Sequence, residues 1–174
     1  MKKNSEETKQ RCKWTQQDPR MERYHDEVWG FPAKNDNELF ERMTQQIFQA
    51  GLSWKTILYR EKAFQKAFDK FSIKKVAAYT AKDKTRLLND ATIIRNKAKI
   101  EATLENAKRI LLLQKEFGSF QKFLDGIPDV LSACQKELKK RMKFMGPEIT
   151  RMFVMNIGKI EDMHEEGCWR AKKQ

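Results

Sequence analysis

Apolar side chains recur three and four residues apart over most of the chain, and no stretch alternates long enough to form a strand. The pattern predicts an all-α protein. The first clear helix covers about Asp36 to Ala50, where Asn35 can cap, Glu38 completes a capping box, and Leu39, Phe40, Met43 and Ile47 line one face. Gly51 breaks it. Ser53 then caps a second helix predicted to reach about Asp69, with Ile57, Leu58, Phe64 and Phe68 on its apolar side. Short helices are predicted at Ser72–Tyr79 and Thr80–Asn89, the latter with a Thr80–Asp83 capping box, before a long one from Ile93 to Glu116 that Gly118 closes. A turn of helix at Phe120–Leu124 precedes helices from Asp129 to Met142 and from Pro147 to Ile157, and a last helical piece carries Met163, His164 and Cys168. Residues 12–32 follow no period. Trp14, Tyr24, His25, Trp29, Phe31 and Pro32 stand there among polar residues, which predicts an irregular but ordered segment packed on something else.

These elements suggest one unit over residues 12–170, with helical lobes and a hairpin in 35–158 and the flanks 12–34 and 159–170 brought together. Residues 1–11 read as a flexible basic arm and 171–174 as a tail. The chain has 174 residues and 40% apolar side chains, enough for one good core or two small lobes. Its 36 Lys and Arg outnumber 24 Asp and Glu, a net charge of +12, so a negatively charged partner is expected, nucleic acid first. No apolar run approaches a membrane span and the N-terminus lacks a secretion signal, so an intracellular, non-membrane protein is expected. The 3 cysteines do not make a disulfide framework; they point to buried thiols or a metal site.

Three constellations carry candidate chemistry. Cys12, His25, His164 and Cys168 include both histidines of the chain, and on a continuing helix His164 and Cys168 would share a face and fill two corners of a tetrahedral zinc. Two core thiols with a surface histidine are the alternative. The hairpin Phe144–Pro147, with Lys139, Lys140, Arg141 and Lys143 before it, suits a phosphate grip at a helix start; an ordinary turn is the alternative. Trp14, Tyr24 and Trp54 with Gln46 could form a pocket for one flipped base, since an amide that donates and accepts can read an adenine edge while rings stack on it. A tryptophan after a glycine is more often a plug in a core.

Several motifs in order turn these alternatives into a resemblance: Cys12-Lys-Trp14, Tyr24-His25-Asp26 with Trp29-Gly30, Gln49-Ala-Gly-Leu-Ser-Trp54, Ile93-Ile-Arg95-Asn96 with Lys99-Ile100, Lys143-Phe-Met-Gly146-Pro147 and His164-x-x-x-Cys168. Over residues 12–168 the chain resembles the DNA-3-methyladenine glycosylase I family, the zinc-containing branch of the helix-hairpin-helix DNA glycosylases. The resemblance implies two helical lobes around a cleft and one structural zinc held by Cys12, His25, His164 and Cys168, joining the chain termini. It also implies a base pocket of Trp14, Tyr24, Gln46 and Trp54, with Gln46, Tyr24 and Trp54 at the chemistry. Lys140, Arg141, Lys143, Gly146 and Arg151 would hold DNA phosphates. The implied protein is a monomeric, monofunctional glycosylase, cytoplasmic and nucleoid-associated, that hydrolyses 3-methyladenine or a related alkylated purine from double-stranded DNA. Four departures stand out. Gln46 replaces the family's glutamate, Asp125 an aromatic residue in a shortened stretch after Leu124, Arg151 another aromatic residue and Thr92 a glycine. The first leaves a catalytically weak or inactive damaged-DNA-binding relative as the alternative.

Overall fold

The computed structural model describes residues 9–171. Among them are ten α-helices and no strand: α1 (Pro19–Glu27), α2 (Asp36–Gln49), α3 (Trp54–Leu58), α4 (Glu61–Ala67), α5 (Ile73–Ala77), α6 (Ala81–Asn89), α7 (Lys97–Phe117), α8 (Phe120–Asp125), α9 (Leu131–Arg141) and α10 (Pro147–Asn156). The all-α expectation holds. No helix of the described residues is long and apolar enough to cross a membrane. Residues 1–8 of the predicted arm and 172–174 of the predicted tail lie outside the described residues. Arg11 pairs with Asp26 at 2.7 Å, and the Gln10 carbonyl accepts from the Trp169 amide at 2.8 Å.

Helix α2 is the spine. It packs on α3, α5, α7, α8 and α10, and so touches both helical regions. In one, α5 and α6 lie on the long α7; in the other, α9 and α10 pack as a pair. The main core runs between them, with Phe40, Phe48, Phe64, Phe68, Phe71, Phe120 and Phe153 fully enclosed, each contributing about 2–3 kcal/mol of burial. A second, smaller cluster gathers Met21, Tyr24, Trp29 and Leu58, with Trp14 and Trp54 packed against it.

Local differences from the predicted boundaries have identifiable causes. The aperiodic segment contains α1, which Asp18 caps by accepting from the Arg20 and Met21 amides at 3.0 and 3.3 Å, with Pro19 in the first turn. The predicted helix from Ser53 to Asp69 is instead broken after Leu58. The break lets Ile57, Phe64 and Phe68 face the main core while Leu58 joins the aromatic cluster. Helix α7 starts four residues later than predicted because Asn96 caps it, accepting from the Lys99 amide at 3.1 Å. Asp129 is not a cap; it pairs with Lys159 at 2.6 Å and α9 begins at Leu131. Glu38 reaches the Lys34 amide at 2.9 Å rather than that of Asn35, so the first capping box is displaced by one residue. The final helical piece is absent: residues 161–165 are irregular and turns follow.

Two buried cations hold the spine. The guanidinium of Arg42 donates to the Phe31 carbonyl at 2.7 Å and to Glu38, fastening the segment after α1 to α2. At the other end Lys99, 7% exposed, donates to the carbonyls of Phe48 at 3.0 Å and Ala50 at 2.6 Å. A cation there meets the negative end of the helix and satisfies carbonyls that the chain turn at Gly51 (φ +81°) would orphan. Burial pushes the Lys99 ammonium below its ordinary value, so those carbonyls replace water as its solvation shell. Replacing Lys99 by Met is expected to lower unfolding free energy by about 1–3 kcal/mol, the cost of leaving buried acceptors unpaired. An unchanged urea midpoint would remove Lys99 from this role.

Candidate functional site

Trp14 lies within a short 3-10 turn, Tyr24 projects from α1, Trp29 from the turn after it, and Trp54 is the first residue of α3, placed by the Ser53 cap (Ser53 Oγ accepts from the Thr56 amide at 3.2 Å). Their rings converge. Tyr24 and Trp54 lie 4.9 Å apart between centroids, Tyr24 and Trp29 6.1 Å, and Trp14 lies 6.3 Å from both Tyr24 and Trp29. They border an open cavity of about 420 Å³ whose remaining wall includes Met152, Met155, Gln49 and Asp162. Flat rings on several sides of a half-open space are an arrangement for holding another flat ring.

Behind this wall is a polar knot. The Tyr24 hydroxyl accepts from the Asn156 side-chain amide, and the Gln46 amide lies beside it. Burial pushes the Tyr24 phenol well above its ordinary value despite the opposing influence of Arg42, Gln46 and Asn156, so it stays protonated and cannot act as a general base near neutrality. Gln46 is 1% exposed, and neither of its polar atoms has a hydrogen-bond partner of acceptable geometry; the Trp54 indole N–H and the Asn156 side-chain oxygen Oδ1 are buried and unpartnered as well. Unsatisfied buried polar atoms cost about 1–3 kcal/mol each. Several of them around one tyrosine mark a place built for something besides stability. Gln46 does not line the cavity itself; Trp14, Tyr24 and Trp54 do.

Next to the cavity, Cys12, His25, His164 and Cys168 bring their ligand atoms within 4.8 Å of one another. Cys12 Sγ is 3.4 Å from His164 Nδ1, and Cys168 Sγ is 3.4 Å from His25 Nε2 and 3.8 Å from His164 Nδ1. Ordinary Zn–S and Zn–N bonds in a tetrahedron give N to S edges of about 3.6 Å, so the set has the dimensions and chemistry of a four-coordinate metal site. His164 and Cys168 reach it from irregular chain and a turn, not from one face of a helix as the spacing suggested. Asp26 Oδ1 accepts a hydrogen bond from His25 Nδ1 at 2.8 Å, which turns Nε2 toward the cluster as a metal ligand requires. Burial opposes ionisation of Asp26, but Arg11, His25 and Trp169 hold its carboxyl well below the usual range. Burial also pushes the Cys12 thiol up to about 11, a value a bound cation would reverse.

The hairpin between α9 and α10 is pinned from inside. Fully buried Asn106 accepts from the Lys143 amide at 2.7 Å and donates to the Lys143 carbonyl at 3.0 Å, and Phe144 at the tip has a positive φ of 61°. Gly146 is the N-cap of α10 and leaves the first amides of that helix facing outward. Lys140 and Lys143 are exposed. Arg141 is engaged with Glu116 at 3.0 Å and Arg151 with Glu148 at 2.6 Å, and Arg151 borders the aromatic cavity. Asp125 is not on that cavity's wall.

Sequence reasoning missed Trp29 as a wall residue, Asn156 and Asn106. Trp29 was visible in the Trp29-Gly30 pair; an asparagine inside a helix gives no comparable signal.

If the four ligands hold a metal, His164→Ala should reduce bound metal below one equivalent and lower stability by about 4 kcal/mol where free metal exceeds its dissociation constant 1,000-fold. Elemental analysis and thermal melting read both. Unaltered melting with full metal content would contradict the assignment.

Comparison with known proteins agrees with this architecture. The family model described as methyladenine glycosylase matches residues 14–133. DNA-3-methyladenine glycosylase 1 of Escherichia coli (strain K12) is 36% identical over 179 residues, spanning 91% of this chain and 95% of that protein. A crystal structure of 3-methyladenine DNA glycosylase I superposes with a TM-score of 0.84 at 34% identity, covering 94% of this chain and 100% of the other. A glutamate-to-glutamine mutant of 3-methyladenine DNA glycosylase I from Staphylococcus aureus superposes at 0.82 with 32% identity, covering 94% and 98%. With a matching family model, and with relatives alike in sequence and fold over nearly its whole length, this chain is a divergent member of the DNA-3-methyladenine glycosylase I family.

Proposed function

We propose that the protein is a monofunctional DNA glycosylase that hydrolyses the N-glycosidic bond of 3-methyladenine, or a related N3-alkylated purine, in double-stranded DNA and leaves an abasic site. The observation that carries this reading is the cavity bounded by Trp14, Tyr24, Trp29 and Trp54, backed by the unpartnered amide of Gln46. An extrahelical base entering there would stack on the rings, as flipped bases do, and bring hydrogen-bonding edges toward buried groups that lack partners.

The site needs little acid or base machinery. N3-alkylation already gives the purine a positive charge and makes it a ready leaving group, so the protein's work is extraction, retention and exclusion of normal bases. Tyr24, held protonated, positions by hydrogen bond. Gln46 pairs through its carbonyl and amide. Water attacks the sugar as the base departs. Lys140, Lys143 and the amides of α10 after Gly146 would hold phosphates without reading sequence, with Arg141 and Arg151 reaching them only by exchanging their carboxylate partners.

The cluster of Cys12, His25, His164 and Cys168 suits zinc, and four protein ligands complete its tetrahedron. When bound, zinc supplies a structural fastening between the chain termini. Acting on a single lesion, the protein would work as a monomer in the cell interior, associated with the nucleoid through DNA.

The deciding assay is base release from methylated duplex DNA, comparing the native protein with Gln46→Glu. Turnover by the native protein is expected, because the charged leaving group does not require an acid at position 46. Release by the glutamate variant alone, with unchanged DNA binding, would identify a damaged-DNA-binding relative instead. Trp54→Ala is expected to weaken binding of the product base by about 1–3 kcal/mol, one stacking contact, in a tryptophan-independent titration such as calorimetry. Undiminished affinity would take Trp54 out of the pocket.

A further inference from the structure

The cavity must distinguish a cationic base from a neutral one, yet the buried residue behind it, Gln46, carries no charge. The wall does carry one carboxylate, that of Asp162. Trp29 donates its indole N–H to Asp162 Oδ2 at 2.7 Å, which fixes the carboxylate against one of the rings of the cavity. The two cations on the same wall are each engaged with acids that do not line it: Lys55 pairs with Asp18 at 2.8 Å, and Arg151 holds Glu148 through Nη2 at 2.6 Å and Nε at 3.0 Å. Arg151 and Arg170 both feel the charge of Asp162, but Arg170 directs its guanidinium to the carbonyls of His25 and Trp29. The wall cations are thus neutralised from outside the wall, while Asp162 is held by a neutral donor.

We propose that Asp162 is a specificity-determining residue, the carboxylate that favours a positively charged base in this cavity, in place of the acid that position 46 lacks. The inference rests on the glycosylase reading for its substrate but concerns charge selection alone. A carboxylate beside the rings attracts the alkylated purine before the bond breaks. As the bond breaks, the positive charge passes only to the adjoining sugar, so Asp162 stabilises bound substrate and transition state to a similar degree. Loss of its charge therefore raises KM and leaves kcat nearly unchanged.

The test compares binding of 3,9-dimethyladeninium, which keeps a fixed positive charge, with neutral 9-methyladenine, for the native protein, Asp162→Asn and Asp162→Glu. The asparagine carbonyl can still accept from Trp29, and melting curves check that the fold is kept. About tenfold preference for the cation is expected in the native protein and in Asp162→Glu, and none in Asp162→Asn. A preference that survives Asp162→Asn, one lost equally in Asp162→Glu, or no preference in the native protein overturns the proposal. Base release from methylated DNA is measured alongside. Release together with an Asp162-independent preference sinks this inference and leaves the glycosylase reading intact. An Asp162-dependent preference without any release does the reverse.

Discussion

The closure of Cys12, His25, His164 and Cys168 on a common point is the constraint on which the rest of the site depends. Cys12 and His164 are 152 residues apart in sequence, and their side chains approach to 3.4 Å. Three of these four residues stand within two positions of the cavity wall: Cys12 precedes Trp14, His25 follows Tyr24, and His164 follows Asp162. The cluster thus draws together Trp14 from a short 3-10 turn, Tyr24 from α1 and Asp162 from irregular chain on one side of the wall, while α2, α3 and α10 supply the rest. Asp26 extends the fastening outward, accepting hydrogen bonds from Arg11, His25 and Trp169 at once. A cluster of four side chains here does what a layer of helices does elsewhere in the molecule.

The opposite side of the cavity is fixed by helix α2, and its means are different. Arg42 and Lys99 are charged side chains almost out of contact with solvent, each satisfied largely by main-chain carbonyls. Between them, α2 places Gln46 beside Tyr24 with its hydrogen bonds unmade. Stable proteins seldom leave such groups unpaired. The well-satisfied cations at the middle and the C-terminal end of the helix, and the large phenylalanine core behind it, offset the local cost of an unsatisfied amide between them.

Much of this was legible in the chain. Helix α2 announced itself through Asn35 and its apolar face, α10 through Pro147, and α6 through Thr80 and Asp83, because capping and periodicity are local. The four candidate ligands stood out because His and Cys are scarce here, and Trp54 stood out because of its place after Gly51. Less legible were features set by distant partners. The break after Leu58 answers to two cores at once, and α1 was hidden by its aromatic residues, although Asp18-Pro19 was a start signal in plain sight. The i, i+4 spacing of His164 and Cys168 suggested a helix, whereas tetrahedral geometry needs only that the two side chains converge. That Asp162, and not Gln46, borders the cavity depends on the path of irregular chain, which no periodicity encodes.

The same closure has a consequence for how the molecule comes to exist. Contacts between α5 and α7 or α9 and α10 join neighbours in the chain and can form while synthesis is under way. The pocket cannot. Trp14 and Tyr24 are made long before Asp162 and the candidate ligands His164 and Cys168, so the aromatic residues must wait for chain that is synthesised much later. Closing so long a loop costs entropy before any contact rewards it. The nascent protein would thus carry a formed helical body and an unassembled site until residue 168 has been made, and in this chain the aromatic cavity is completed in a single late step.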